Sequence, residues 1–229
     1  MQINKDASQT MIRSSRKWPV PYVSVNLAIK RAFDIAASAL ALILLAPIML
    51  AIALLIRLTL GSPVLFVQAR PGMNAEIFHL YKFRTMRHLV DEQGMEAPDH
   101  ERLTRTGRFL RTTSLDELPQ LWNVLTGDMS IVGPRPLLVR YLPLYSAVQA
   151  RRHEVRPGMT GWAQIHGRRS LDSNWEEKFR LDVWYVDNQS FLLDMKILAR
   201  TALKVLRRDD ISQSGQATSE AFKGTGKDR

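Results

Sequence analysis

The sequence predicts a mostly helical α/β protein attached to a membrane, with a short β-hairpin and amphipathic helices in its polar part. Three patterns carry that reading. Residues 35–56 are apolar except for Ser38 and Pro47. As a helix, at ~1.5 Å per residue, such a run matches a bilayer core. Residues 64–86 hold two short runs rich in branched and aromatic side chains around Arg70-Pro71-Gly72, the mark of a hairpin. Further on, apolar residues recur at helical spacing in residues 114–125, 174–186 and 191–206.

Taken in order, residues 1–29 are polar around Trp18-Pro19-Val20-Pro21 and read as a surface arm. The apolar run follows, inside a unit of residues 30–60. Pro47 lies just past its midpoint, where it removes a backbone donor and clashes with the preceding turn. Lys5, Arg13, Arg16, Lys17, Lys30 and Arg31 precede the run; Arg57, Arg70, Lys82, Arg84 and Arg87 follow it. Positive charge marks the cytoplasmic side of a membrane segment, and here both flanks carry it. Two paths satisfy these residues. One is a hairpin broken at Pro47 that returns to the face it left; the other is a single-pass helix with a tolerated kink.

Gly61-Ser62-Pro63 turns the chain into the hairpin. Residues 87–103, with Gly94 and Pro98, read as an exposed loop. Ser114-Leu115-Asp116-Glu117 then opens a helix with Leu118, Leu121, Trp122 and Leu125 on one face, closed by Gly127. Gly133-Pro134-Arg135-Pro136 reads as a rigid turn and residues 137–153 as a helix interrupted near Pro143. The stretch from Arg156-Pro157-Gly158 to Trp162 is rich in turns. Residues 174–186 and 191–206 return to helix. In the last, Lys196, Arg200 and Lys204 oppose Met195, Leu198, Ala202, Val205 and Leu206, which suits either a solvated face or a helix lying on anionic headgroups. The main body thus covers residues 61–208, and a polar tail covers residues 209–229.

Composition narrows the partners. The chain of 229 residues has no cysteine, which excludes disulfides and thiolate metal sites. A net charge of +10 calls for an acidic partner. Beside a membrane segment, anionic lipid headgroups and diphosphates fit better than nucleic acid. The five histidines show no metal-ligand spacing, and neither a P-loop nor G-x-G-x-x-G occurs.

Two stretches can carry chemistry. Ser114-x-x-Glu117 has the form of a capping box, and in a non-enzymatic membrane scaffold it would be no more than that. The alternative takes Asp116 and Glu117 together at a helix start, where phosphate also binds. One carboxylate attacks phosphorus and the other holds Mg²⁺, with Arg111 close enough in sequence to neutralise phosphate. In Gly133-Pro134-Arg135-Pro136 the prolines fix one arginine at a set angle, and its fork suits paired hydrogen bonds to phosphate.

Several motifs together resemble one family. They are Lys30-Arg31-x-Phe33-Asp34, Tyr81-Lys82-Phe83-Arg84-Thr85-Met86, and the run from Thr113-Ser114-Leu115-Asp116-Glu117 to Gln120. Gly127-Asp128-Met129-Ser130-Ile131-Val132-Gly133-Pro134-Arg135-Pro136, Arg156-Pro157-Gly158-Met159-Thr160-Gly161-Trp162 and Leu181-Asp182-Val183-Trp184-Tyr185-Val186 complete the set. Over residues 30–219 the chain resembles the bacterial sugar transferases that are monotopic phosphoglycosyl transferases. The resemblance implies a monotopic protein of the bacterial inner membrane, re-entrant at Pro47, with its catalytic domain facing the cytoplasm. It implies transfer of a sugar 1-phosphate from a UDP-sugar to undecaprenyl phosphate, with release of UMP, as the first membrane step of glycan assembly.

The resemblance also assigns roles. Asp116 is the nucleophile that becomes an aspartyl phospho-sugar, and Glu117, beside it, binds Mg²⁺. Arg111 holds phosphate, and Pro134, Arg135 and Pro136 shape the nucleotide site. Asp182 and Asp194 match acidic positions of the family and by that match are substrate-binding, and Arg168 lies in a segment that helps read the sugar. The ending Gly215-Gln216-Ala217-Thr218, with Phe222 following, looks most like members using UDP-N,N′-diacetylbacillosamine or a related acetamido sugar. Gly167-Arg168-Arg169 and the longer run to Trp175 depart from that group, so UDP-glucose and UDP-galactose stay open as donors.

Overall fold

The computed structural model describes residues 20–89, 97–167, 174–207 and 221–224. Arg168, the first part of the N-terminal arm and most of the tail lie outside them. The architecture is mostly helical with two small sheets, in keeping with the α/β expectation.

The first helix, α1 (Val20–Thr59), is 40 residues long. It starts about ten residues earlier than the sequence suggests, at Val20-Pro21, because proline is well suited to a first helical turn. The helix continues past Pro47, which itself donates no backbone hydrogen bond, so the expected break is not an end of the helix. The outward side chains of the apolar run are bare: Ile43 and Leu50 are 72 % exposed, and Leu58, just past the run, 75 %.

Both ends of that run are seated on the rest of the protein. Near its start, Lys30 donates to Asp194 at 2.7 Å and to the Val132 carbonyl at 2.9 Å. Asp34 accepts from the Ile131 amide at 3.0 Å. Arg31 donates to the carbonyls of Val124 and Leu125 at 2.6 and 2.8 Å. Near its end, Ile52 and Ile56 are buried in a cluster with Phe83 and Leu110. A straight helix would place residues 31 and 56 ~38 Å apart. Their seats are much closer than that. Asn123, next to Val124, bonds to the Tyr81 amide at 3.1 Å, and Tyr81 is two residues from Phe83.

After a turn at Gly61, β1 (Leu65–Pro71) pairs antiparallel with β2 (Ile77–Phe83), with Leu65 opposite Phe83 and Pro71 opposite Ile77. The hairpin is as expected, but Arg70 and Pro71 belong to the strand. The turn itself is Gly72 to Glu76, with Asn74 and Ala75 at positive φ. Within the charged loop, α2 (Asp99–Arg102) is a single turn, and α3 (Arg105–Thr112) follows, capped by the Thr104 hydroxyl. The close approach of α3 to the hairpin requires Gly107: a Cβ there would sit 1.8 Å from the Thr85 carbonyl oxygen.

The predicted capping box is absent. Ser114 sits in the left-handed region at φ 55°, and its side chain makes no capping bond. An N-cap needs extended backbone. Residues 115–117 form one 3-10 turn, and helix α4 (Gln120–Thr126) starts after Pro119. Gly127 ends it as expected, at φ 102°, and the Arg31 guanidinium covers its last carbonyls. A capping box does form elsewhere, between Ser146 and Gln149, at the start of the short α5 (Ala147–Ala150). Pro143 falls inside a 3-10 turn from Val139 to Leu144, so residues 137–153 are three short turns and no single helix.

The stretch from Arg156 to Trp162, expected to be rich in turns, contributes one strand of a parallel pair. β3 (Ser130–Val132) pairs with β4 (Gly158–Thr160). Helices α6 (Trp162–Gly167), α7 (Trp175–Asn188) and α8 (Phe191–Arg207) close the structure. The Asn174 side chain caps α7 by accepting from the Glu177 amide. On α8, Ile197 and Asp194 are buried. Lys196 and Arg200 are exposed, as are Leu192 and Leu203, so the outer face mixes base and hydrophobe. Phe222 is inserted among Tyr141, Tyr145, Trp175 and Phe179.

Candidate active site

Asp116 and Glu117 sit where α3, β2 and the proline turn converge. The left-handed turn at Ser114 directs the 3-10 turn inward, and Asp116 is buried. Lys82, on β2, donates to Glu117 at 2.8 Å, and its Nζ lies 3.9 Å from Asp116. Arg135 reaches the same glutamate with both terminal nitrogens, Nη1 at 3.2 Å. Arg111 donates through Nε to the Thr85 hydroxyl at 3.0 Å, and its charge acts on Asp116. Arg70, from β1, donates to the Pro136 carbonyl at 3.2 Å.

The register that places Lys82 here is held by Asn123. Its side-chain oxygen accepts from the Tyr81 amide and its nitrogen donates to the His79 carbonyl. Asn123 is wholly buried, so both bonds are needed. The proline turn is held by a crossing of glycines. The Gly133 amide donates to Thr160 and the Gly158 amide to Pro134. A Cβ on Gly158 would sit 2.0 Å from the Gly133 nitrogen. The Arg-Pro-Gly stretch is thus the seat of the Gly-Pro-Arg-Pro turn.

Of the residues expected from sequence, Asp116, Glu117, Arg111, Arg135, Pro134 and Pro136 come together. Asp182 and Asp194 do not join them. Asp182 accepts from Arg152 Nε at 3.1 Å and Nη2 at 2.7 Å, with the side chains 3 % and 1 % exposed. Nη2 of Arg152 also donates to the Arg135 carbonyl at 2.8 Å, so Asp182 stands behind Arg135. Asp194 holds Lys30 and accepts from the Tyr185 hydroxyl at 2.7 Å, which anchors α1. Lys82 and Arg70 join the site without having been singled out. Their signal is a cation at a strand end, which period-2 patterning treats as ordinary.

The electrostatics suit an anion. Four cations, Arg70, Lys82, Arg111 and Arg135, surround two carboxylates. Burial raises the Asp116 pKa, against the pull of Lys82, Arg135 and Arg111. Burial lowers Lys82 and Arg111 from their ordinary values. Arg70 falls to about 10 through burial and its neighbour Arg135. Lys82, Arg111 and Arg70 have given up water that an incoming phosphate would replace.

Among the described residues, no cluster of three or more His, Cys, Asp and Glu side chains is placed to hold a metal. Mg²⁺ is nonetheless bound by one or two carboxylates with substrate phosphates completing its shell, and the adjacent pair fits that donor set. Lys82 and Arg135 occupy Glu117, so an ion binding there would have to take the place of one of these contacts.

With this geometry in view, comparison with known proteins is specific. Residues 25–208 match the family model for bacterial sugar transferases. A Bacillus subtilis protein named as an uncharacterized sugar transferase, EpsL, is 55% identical over 87% of this chain and 98% of its own length. A Klebsiella pneumoniae UDP-glucose:undecaprenyl-phosphate glucose-1-phosphate transferase is 42% identical over 80% of this chain and 41% of its own. An Aeromonas hydrophila UDP-N-acetylgalactosamine-undecaprenyl-phosphate N-acetylgalactosaminephosphotransferase is 41% identical over 78% of this chain and 44% of its own. The chain therefore spans less than half the length of those last two relatives.

Proposed function

The chain belongs to the bacterial sugar transferase family, and from that premise we propose that it moves a sugar 1-phosphate from a UDP-sugar to undecaprenyl phosphate, releasing UMP. The observation that carries this reading is the buried Asp116 among Lys82, Arg111 and Arg135, with Arg70 beyond Arg135. A buried carboxylate ringed by cations attracts the phosphates of a donor and is itself short of water, which favours attack.

In the first half-reaction an Asp116 oxygen attacks the β-phosphorus. The bond from that phosphorus to the bridging oxygen breaks, and UMP leaves with its electron pair. In the second, a phosphate oxygen of the lipid attacks the aspartyl phospho-sugar, forms the diphosphate and frees the carboxylate. Arg135 and Lys82 hold Glu117 beside the nucleophile, and Arg111 offsets charge on the transferring group. Mg²⁺ at Asp116 and Glu117 supplies charge neutralisation on phosphate oxygens when bound.

The two-ended seating of α1 supports a re-entrant path, since residues near 31 and near 56 bear on one body. Proline is a usual cause of helix bending, and Pro47 lies between the seats. The exposed Leu192 and Leu203 beside Lys196 and Arg200 support an interfacial role for α8. On this reading the catalytic body lies on the cytoplasmic face of the inner membrane, against anionic lipids. An acetamido sugar is the first donor reading, from the tail motif, and the Aeromonas relative is named for one. UDP-glucose is the second, favoured by the name of the Klebsiella relative.

The test is UMP release by the purified full-length protein with Mg²⁺, undecaprenyl phosphate and a panel of UDP-sugars. Release with one donor and loss in Asp116→Asn are expected; full turnover by that variant removes Asp116 as the nucleophile. The absence of native cysteine makes topology testable by single-cysteine labelling near residues 30 and 62. Labelling from the same side is expected, and labelling from opposite sides refutes the hairpin.

A further inference from the structure

The site has more cation than its assigned roles require. Arg111 acts on Asp116, Lys82 bridges towards both carboxylates, and Arg135 grips Glu117. Arg70 comes last in this row. Its charge is felt with those of Arg135 and Glu117, and its hydrogen bonds go to the Pro136 carbonyl at 3.2 Å and the Gln68 side chain at 2.5 Å. Neither partner is an anion. The Arg70 Nε is buried with no hydrogen-bond partner, and Arg135 beside it is a like charge. Two arginines side by side, one with an orphaned donor, make an anion site whose anion comes from outside the protein.

The order of the row fixes which anion. The phosphorus attacked by Asp116 lies at the Asp116 end, near Arg111 and Lys82. A donor diphosphate has a second phosphate one bridging oxygen further on. The Arg135–Arg70 end of the row is placed for it.

We infer that Arg70, steadied by Gln68 and the Pro136 carbonyl, binds the α-phosphate of the donor and holds the leaving UMP. This rests on the transfer reaction proposed above and adds a residue to it. As the bridging bond breaks, its electron pair goes to the oxygen of UMP, whose phosphate gains a negative charge. A guanidinium already desolvated beside that oxygen binds the product form more strongly than the diphosphate ester. Arg70 thereby assists the first half-reaction.

The test is equilibrium binding of UMP and of uridine to the full-length protein in detergent, wild type against Arg70→Gln. One lost charge-assisted contact predicts UMP affinity weaker by about ten- to a hundredfold, with uridine affinity unchanged. UMP affinity equal to wild type overturns the inference, as does a parallel fall for uridine, which would mean a disturbed nucleoside pocket. Should Arg70→Gln not fold, Arg70→Lys serves. It keeps the charge and loses the fork, and UMP binding weakened severalfold with uridine unaffected is expected. Unchanged UMP binding in that variant overturns the assignment. Binding needs no turnover. A wild-type protein that binds UMP but releases none from any UDP-sugar would defeat the reaction and leave the phosphate site standing.

Discussion

Asp182→Asn separates two roles for one residue. The family resemblance implies a place near substrate, whereas the structure pairs Asp182 with Arg152 through bonds of 3.1 and 2.7 Å, both side chains almost fully enclosed. Asparagine keeps the size and one acceptor oxygen but leaves the guanidinium buried without a counter-charge. Removing one partner of a buried pair costs about 3–5 kcal/mol. For a chain of this length each kcal/mol is worth roughly 2–4 °C in melting temperature, so a fall of roughly 6–20 °C is expected. Tryptophan fluorescence on heating in detergent reads it, since Trp175 packs on Phe179 in the neighbouring cluster. Activity should fall as well, because Arg152 also holds the Arg135 carbonyl. An Arg152→Met/Asp182→Leu pair should recover much of the melting temperature, an apolar pair being a tolerable replacement for a buried ion pair, without recovering activity. A variant melting within about 2 °C of wild type, with a raised KM for the UDP-sugar, would refute the structural role and return Asp182 to the substrate.

Further outcomes follow from other sites. Lys82→Met should lower kcat by well over tenfold, because it leaves two buried carboxylates with less compensating charge; UMP release under saturating donor measures it. Protonated Asp116 is no nucleophile, so activity should rise with pH through its raised pKa, with the acid limb of kcat/KM above the ordinary carboxylate range. A limb near pH 4 or below contradicts the burial argument. Gly107→Ala should destabilise the protein by several kcal/mol, since the added methyl meets backbone at Thr85, and the melting temperature should show it. Lys30→Met should weaken the seating of α1 through Asp194, giving a lower melting temperature with the Asp116 chemistry intact in single-turnover UMP release.

How much was legible in the sequence depended on the range of the cause. The hairpin, α7 and α8 follow from local periodicity and appear where expected. The helix before Gly127 appears too, but its start was misplaced. A Ser-x-x-Glu pattern reads as a cap, yet Glu117 is drawn away by Lys82 and Arg135, which lie 35 and 18 positions off. The parallel pair β3–β4 has strands of three residues, too short for alternation to register, and part of what holds it is the glycine crossings, which leave no apolar signal. Asp182 and Asp194 stood out as acids within motifs, but acidity alone does not say whether a carboxylate faces substrate or a buried cation. Their partners are 30 and 164 positions away. Arg70 and Lys82 needed the hairpin register and the proline turn to be brought to one point.

The polar seats of α1 bear on depth as well as attachment. Leucine and isoleucine side chains are as content among lipid tails as against protein, so the apolar contacts of Ile52 and Ile56 do little to choose between the two. The bonds of Lys30, Arg31 and Asp34 do choose. On the re-entrant path, Pro47 divides residues 35–56 into arms of about 18 and 14 Å at the helical rise. Each is close to half of a ~30 Å hydrocarbon core. The protein then measures a single leaflet, and its depth follows the packing of that leaflet's lipids while remaining indifferent to the thickness of the whole bilayer. Asp116, as the proposed nucleophile, would inherit that height, which would keep it level with the phosphate of a lipid whose tail length varies.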